Sequence, residues 1–281
     1  MRSVSFQVLN VFAEARFAGN PLAVIEDASG LREDELMPIC QQFNLSETTF
    51  IYPPEAGGVA KVRIFSPDGE MAFAGHPTLG TAHVLRELEA MGDAFSIELK
   101  AGLIPVRAEG DLWELQANAG TSREAPSAEA IAKLLHLSEA AIGEGARWVS
   151  TGTEQLLVPI RDLVALRAAH PDFDGLSSVG TNRAGRANVS LFLVEGQRVT
   201  SRYFWLHHRE VREDPGTGSA AANLGAWLVE RGVQGPATWT IEQGHQTGRL
   251  NHLRLRIDGE RRVFVAGRVI PLMRGTISLS S

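Results

Sequence analysis

One arrangement occurs twice in this chain. A short run of Arg, a bulky apolar residue and Phe leads into a glycine-rich turn that opens a helix of small residues. The first copy is Arg63-Ile64-Phe65 running to Gly75, and the second is Arg202-Tyr203-Phe204 running to Gly218. Phe65 to Gly75 covers ten positions and Phe204 to Gly218 fourteen, so a four-residue insertion near His207-His208-Arg209 brings the copies into step. A strand-turn-helix unit met twice predicts two similar lobes facing each other across a cleft. The 281 residues suffice for that, at roughly 150 residues per domain.

Alternation of apolar and polar residues predicts strands at 4–11, 22–25, 48–52, 60–65, 97–99, 103–108 and 112–116. Helical spacing interrupts them at 32–43, where Ser29 or Asp34 is the expected cap, and at 76–90, where Leu79, Ala82, Val84, Leu85 and Leu88 recur at intervals of three and four. The small and polar stretch 118–127 reads as a linker. Beyond it come a helix at 128–137, strands at 148–150 and 155–160, a helix at 163–169, and strands at 188–194 and 199–205. A helix at 219–231, three strands at 238–242, 252–257 and 263–267, and a strand-like tail at 269–279 complete the pattern. The expected organisation is an N-terminal lobe, 1–117, a C-terminal lobe, 118–268, and a last strand, 269–281, that returns to the first lobe.

Composition removes several classes of function. With 27 Lys and Arg against 33 Asp and Glu the net charge is −6, and no basic run stands out, so nucleic acid is not an expected partner. No stretch approaches the roughly 18 to 20 apolar residues that cross a bilayer, and the first residues read as a strand rather than a secretion signal. The single cysteine, Cys40, excludes an intrachain disulfide and any two-thiol mechanism, and suits a reducing cytoplasm. Flanked by Ile39 and Gln41 on a predicted helix, it reads as a packing residue. After Gly216-x-Gly218 the place of a third glycine is taken by Ala221, so no dinucleotide cofactor is expected. His207 and His208 are adjacent, hence on opposite faces of a strand, and no metal-binding pattern accompanies them. Neither a serine-hydrolase elbow nor a P-loop is present.

What remains are two helix starts and one carboxyl. In Phe73-Ala74-Gly75-His76-Pro77-Thr78 the proline suits a first helical turn, and the free N–H groups there offer a seat to an anion such as a carboxylate. Glu213-Asp214-Pro215-Gly216-Thr217-Gly218-Ser219 repeats this logic, with Thr217 or Ser219 as the cap. Glu47, hemmed by Leu45, Phe50 and Ile51, is the candidate proton carrier, since an apolar surround raises a carboxyl pKa toward neutrality. On spacing alone each has a plainer reading: Glu47 as a solvated turn residue, His76 as a helix-start residue bonding backbone, and Asp214 as a turn or cap.

Four motifs in order, 17–24, 46–50, 73–80 and 213–220, together with Gln243-Gly244 and Gly248-Arg249, resemble the PhzF-like isomerases of phenazine biosynthesis over essentially the whole chain. The resemblance implies an α+β fold like that of diaminopimelate epimerase, with two pseudo-symmetric lobes, each an antiparallel, barrel-like sheet around a central helix. It also implies a homodimer and the use of neither cofactor nor metal. Epimerases of that fold carry a cysteine at each helix start; here the corresponding turns hold no thiol. The resemblance instead implies one-carboxyl chemistry, in which Glu47 removes a proton from one carbon of a small carboxylate-bearing substrate and returns one to another. His76 and Asp214 hold and polarise its amino and hydroxyl groups, and Asn20, Gly75, Gly218 and Ser219 bind it. The best-studied branch isomerises a dihydro-hydroxyanthranilate. Two alternatives stand beside this reading. One is an epimerase or racemase of an amino-acid derivative, with Glu47 opposed by Asp214 or His76. The other is a non-catalytic binding protein that retains the fold. The stretch 204–212 departs from the shorter, apolar, Pro- and Gly-containing run of the family pattern, so a different substrate pocket is expected.

Overall fold

Alternating side chains from Val4 onward build the first strand of a sheet-dominated, mixed α+β chain, for which the computed structural model describes residues 2–279. The chain divides into two units, Met1–Gln116 with Ala266–Ser281, and Ala117–Val265. In the first, β1 (Arg2–Val11) pairs antiparallel with β2 (Asn20–Ile25), and helix α1 (Glu33–Phe43) crosses to β3 (Glu47–Tyr52), which lies parallel to β2. Strands β4 (Lys61–Ser66) and β5 (Gly69–Met71) form a hairpin that feeds helix α2 (Gly75–Glu89). The chain returns as β6 (Ala94–Leu99), parallel to β4, and continues as the antiparallel β7 (Gly102–Glu109) and β8 (Leu112–Gln116).

The second unit opens with β9 (Thr121–Glu124), α3 (Ala128–Leu135) and β10 (Arg147–Ser150), the last antiparallel to both β9 and β11 (Glu154–Pro159). Helices α4 (Leu163–Ala168) and α5 (Phe173–Val179) cross to β12 (Asn188–Glu195), parallel to β11. A hairpin of β13 (Arg198–His207) and β14 (Glu210–Asp214) feeds helix α6 (Gly218–Glu230). Then β15 (Ala237–Gln243) lies parallel to β13 and antiparallel to β16 (Asn251–Ile257). Finally β17 (Val263–Leu279) runs out of the second unit to pair antiparallel with β1, Arg2 opposite Leu279 and Val11 opposite Val269. The two units thus share one order of pairings: an antiparallel pair, a parallel strand reached through helix, a hairpin, a helix, a parallel return.

The shared hairpins explain the repeated sequence. Phe65 stands opposite Glu70, and Phe204 opposite Glu213; from each of these glutamates it is five residues to Gly75 and Gly218. The four-residue difference therefore lies entirely at the tip of the second hairpin, where Trp205 to His207 pair with Glu210 to Arg212. The repeated arginine does the same work twice. Arg63 Nε bonds Glu70 at 2.7 Å and its guanidinium lies 5.1 Å from the Phe65 ring centre. Arg202 bonds Glu213 at 2.9 and 2.8 Å and lies 4.6 Å from the Phe204 ring centre.

Helix α2 is buried along its whole first three turns, Gly75 to Leu85, and this needs small residues on every side. A Cβ on Gly80 would come 2.5 Å from Leu22 Cδ2, so glycine lets β2 close on the helix. Gly225 does the same in α6, where a Cβ would meet Val263 Cγ1 at 2.4 Å. Cys40 packs in a cluster with Phe50 and Phe65, and burial pushes its thiol pKa up, away from thiolate chemistry.

Several local expectations are corrected. The N-cap of α1 is Arg32, not Ser29 or Asp34, and its N–H donates to Glu35 Oε2 at 2.8 Å. The stretch expected as a linker holds β9, which gains order by pairing with β10. β5, β14 and α5 were unexpected: each strand is a hairpin arm with a single apolar residue, Met71 or Val211, so no alternation marks it, and α5 is fixed by its cap, Asp172 Oδ1 accepting from Gly175 N–H at 2.7 Å.

The arginines differ in setting. Arg202 is 6% exposed, and its Nη1 also donates to the carbonyls of Leu166, Arg167 and Ala169 at 3.1, 3.0 and 2.6 Å. Arg202→Met leaves these acceptors and Glu213 without their donor and is expected to lower stability by ~3 kcal/mol. Arg63→Met, at a half-buried pair, is expected to lower it by ~1 kcal/mol. Urea denaturation of both variants measures the difference, and equal losses contradict it.

Candidate functional site

In the first unit, the turn after α1 delivers Glu47 as the first residue of β3, opposite Leu22 of β2. Its Oε2 lies 3.3 Å from His76 Nε2, with the two side chains 15% and 6% exposed. His76 is the second residue of α2 and sits edge-on to the Phe12 ring. Burial disfavours the imidazolium and holds the His76 pKa down at about 3, while its ring donates a hydrogen bond to the Pro21 carbonyl. At neutral pH the ring therefore carries one proton, committed to Pro21, and presents a lone pair at the nitrogen that faces Glu47. The pair is not a salt bridge. It is a carboxyl beside a neutral acceptor, an arrangement suited to moving a proton.

Asn20 and Gly75 complete this group. Asn20 opens β2 fully buried, and its Oδ1 accepts from Ser46 Oγ at 3.3 Å, which pins the residue before Glu47. Gly75 is buried at the start of α2, and the N-cap, Ala74, supplies no side-chain cap, so the positive end of the helix is not neutralised there.

In the second unit, Asp214 ends β14, and Gly218 and Ser219 open α6. The expectation that Thr217 or Ser219 caps this helix is corrected. Thr217 is the N-cap residue, but its hydroxyl donates to Asp214 Oδ2 at 2.5 Å instead of accepting from the helix. Gln243, 1% exposed, enforces this: its Oε1 accepts from Thr217 N–H at 3.3 Å, so its Nε2 donates to Thr217 Oγ1 at 2.9 Å and to the Asp214 carbonyl at 2.8 Å. Ser219 is tied to the sheet by Gln155 Nε2, 2.9 Å from its Oγ. Nothing in the spacing marked Gln155, which comes from a strand 64 residues away, or Asn223 beside it. His207 and His208 are also corrected: His208 turns at φ +54° in the hairpin tip, and the two rings lie 4.4 Å apart rather than on opposite faces.

The common frame of the units identifies the counterpart of Glu47. Thr48 stands opposite Phe65, and Val189 opposite Phe204. One residue earlier are Glu47 in the first unit and Asn188 in the second, the latter 3% exposed with Nδ2 directed at the carbonyls of Glu154 and Arg186, at 3.3 and 3.5 Å. The carboxyl is present once.

Comparison with known proteins gives the relatives of the chain. A family model described as phenazine biosynthesis-like protein, PhzC-PhzF, matches residues 9–275. An uncharacterized isomerase of Pasteurella multocida is 36% identical over 99% of this chain and 95% of its own length. A trans-2,3-dihydro-3-hydroxyanthranilate isomerase of Pseudomonas chlororaphis is 32% identical over 98% of this chain and 99% of its own. The solved structure of a predicted epimerase from Pseudomonas aeruginosa superimposes with a TM-score of 0.83 at 28% identity, covering 99% of this chain and 100% of that one. Among the described residues no helix is long and apolar enough to cross a membrane.

The buried imidazole makes a prediction about acid stability. Its pKa is lower folded, about 3, than in the unfolded chain, about 6.5, so protons favour the unfolded state. The stability held by the neutral ring is complete above pH 6.5 and is lost as pH falls toward 3. Across that window the wild type is expected to lose up to about 1.4 kcal/mol per pH unit more than His76→Gln. Urea midpoints at pH 7, 6, 5 and 4 test this, and parallel curves contradict it.

Proposed function

The chain belongs to the phenazine biosynthesis-like, PhzC-PhzF, family and is an isomerase, and from that premise we propose that Glu47 is its single general acid/base. The carrying observation is the Glu47–His76 pair at 3.3 Å in the first unit set against Asn188 in the matching register of the second. A two-base inversion draws on a second proton carrier. The thiols that would serve are absent from both helix starts, an amide stands in the position matching Glu47, and His76 is neutral with its ring proton given to Pro21.

The proposed step takes place on a small ring bearing a carboxylate and an activated carbon, as in the trans-2,3-dihydro-3-hydroxyanthranilate of the Pseudomonas relatives. The Glu47 carboxylate takes a proton from one carbon, the C–H electrons shift through the adjacent double bond, and the Glu47 acid returns a proton at the far end. Atoms and charge balance without a co-reactant. His76 stays neutral and offers the lone pair of its second nitrogen as a hydrogen-bond acceptor to the Glu47 acid while that acid holds the proton. Asp214, held as a hydrogen-bond acceptor by Thr217, suits an amino group on the substrate, and Asn20, Gly75, Gly218 and Ser219 keep the binding roles that the resemblance implies. The same reading takes a small carboxylate as ligand, a homodimer as assembly and the cytoplasm as compartment; the resemblance supports the first two, and the lone buried thiol of Cys40 the last.

Turnover of trans-2,3-dihydro-3-hydroxyanthranilate in deuterated water is expected to place solvent deuterium at the new C–H position. Glu47→Gln is expected to reduce the rate by roughly a hundred- to ten-thousand-fold and abolish the exchange. Exchange that survives the substitution removes Glu47 from the mechanism. Inversion at one stereocentre with no allylic shift, read by chiral chromatography, establishes the epimerase alternative instead.

A further inference from the structure

The hydroxyl of Ser219 is oriented by a chain of contacts that begins at a group with only one possible sense. The backbone N–H of Thr151 can only donate, and it meets Asn223 Oδ1 at 2.8 Å; the Thr151 hydroxyl donates to the same oxygen at 2.8 Å. Asn223 therefore turns its Nδ2 the other way, to the Thr153 carbonyl and Gln155 Oε1, each at 2.9 Å. With its oxygen held there, Gln155 presents Nε2 to Ser219 Oγ at 2.9 Å. Both amides are fully buried, at 0% exposure. Flipping Asn223 sets an NH2 group against the Thr151 N–H and an oxygen against the Thr153 carbonyl, and flipping Gln155 sets two NH2 groups against each other. The whole chain has one consistent polarity.

An amide NH2 donates and does not accept. Ser219 Oγ must accept from Gln155, and its own proton is directed elsewhere; among the described residues Gln155 is its only side-chain partner. Ser219 is half-buried, so that proton is available to a ligand.

We propose that Gln155, held by Asn223, is a positioning residue that fixes the Ser219 hydroxyl as a donor, so that the start of α6 selects a hydrogen-bond acceptor, a carboxylate, over a carboxamide NH2. The inference deepens the proposed function and rests on its assignment of Ser219 to substrate binding. It specifies which proton polarity the ligand must match, and it makes two residues remote from the ligand responsible for that choice.

The test reads binding rather than turnover. Calorimetry on the full chain measures anthranilate, an aromatic carboxylate of the same ring size as the relatives' substrate, against anthranilamide. The wild type is expected to prefer anthranilate by about tenfold or more. Gln155→Met is expected to weaken anthranilate by about fivefold and leave anthranilamide within about twofold, while Ser219→Ala weakens anthranilate by about tenfold. The double variant is expected to be no weaker than Ser219→Ala alone, because both changes remove one interaction. Gln155→Glu keeps the bond from Asn223 but accepts from Ser219, and is expected to shift the preference toward anthranilamide. Equal weakening of both ligands, additive losses in the double variant, or no carboxylate preference in the wild type each overturn the proposal. A wild type that shows the preference but exchanges no deuterium with solvent refutes the isomerase mechanism and leaves this inference standing.

Discussion

The N–H groups that begin a helix have no partners in their own ladder, and two helices here, α2 and α6, start without a side-chain cap from their N-cap residue. Ala74 has no side chain that can cap α2, and Thr217, which has one, turns its hydroxyl away from α6 toward Asp214. Much of the neighbouring sequence follows from keeping those ends close to the sheets. Gly75 and Gly218 put no side chain in the way, Pro77 has no N–H to satisfy in the first turn, and Gly80 and Gly225 let strands approach α2 and α6 to distances a Cβ would forbid. Each end keeps the positive pole of its helix dipole, and the side chains beside it are a carboxyl and a neutral imidazole at one, a hydroxyl and an aspartate at the other.

The frame was largely legible in the sequence because the residues that mark it act over short range. Arg63 and Phe65, or Arg202 and Phe204, lie on one strand, their glutamate partners lie across a hairpin, and the extra residues sit where spacing placed them, at 207–209. The short elements escaped because a hairpin arm with one apolar residue carries no alternation and β9 acquires its structure from β10, 23 positions further on at Arg147–Glu124. At the candidate site, motif resemblance named Glu47 and His76, which the fold brings to 3.3 Å of each other, and Asp214 and Ser219, which lie on either side of the turn into α6. Gln155, Asn223 and the bracing role of Gln243 were not, since an amide in a strand reads as an ordinary polar residue until the fold sets its donors and acceptors. Thr217 misled for a related reason: residue type marks a cap, but the hydroxyl follows the stronger acceptor, and a carboxylate beside it prevails.

The two units keep the same framework and differ at the position of Glu47 and Asn188, and the two side chains are not interchangeable. The amide of Asn188 directs Nδ2 toward the carbonyls of Glu154 and Arg186. An acid at that position would turn its oxygens on two backbone acceptors in a buried setting, an arrangement that disfavours the charged form and offers it no donor there. The second unit therefore disfavours a carboxylate at the place where the first unit holds one. Its own polar groups run in the opposite sense, with donors passed from Thr151 through Asn223 and Gln155 to Ser219. Two copies of one framework thus differ in the direction in which their buried hydrogen bonds point, which sets a carboxyl beside a neutral imidazole in one and a hydroxyl that accepts from a buried amide in the other.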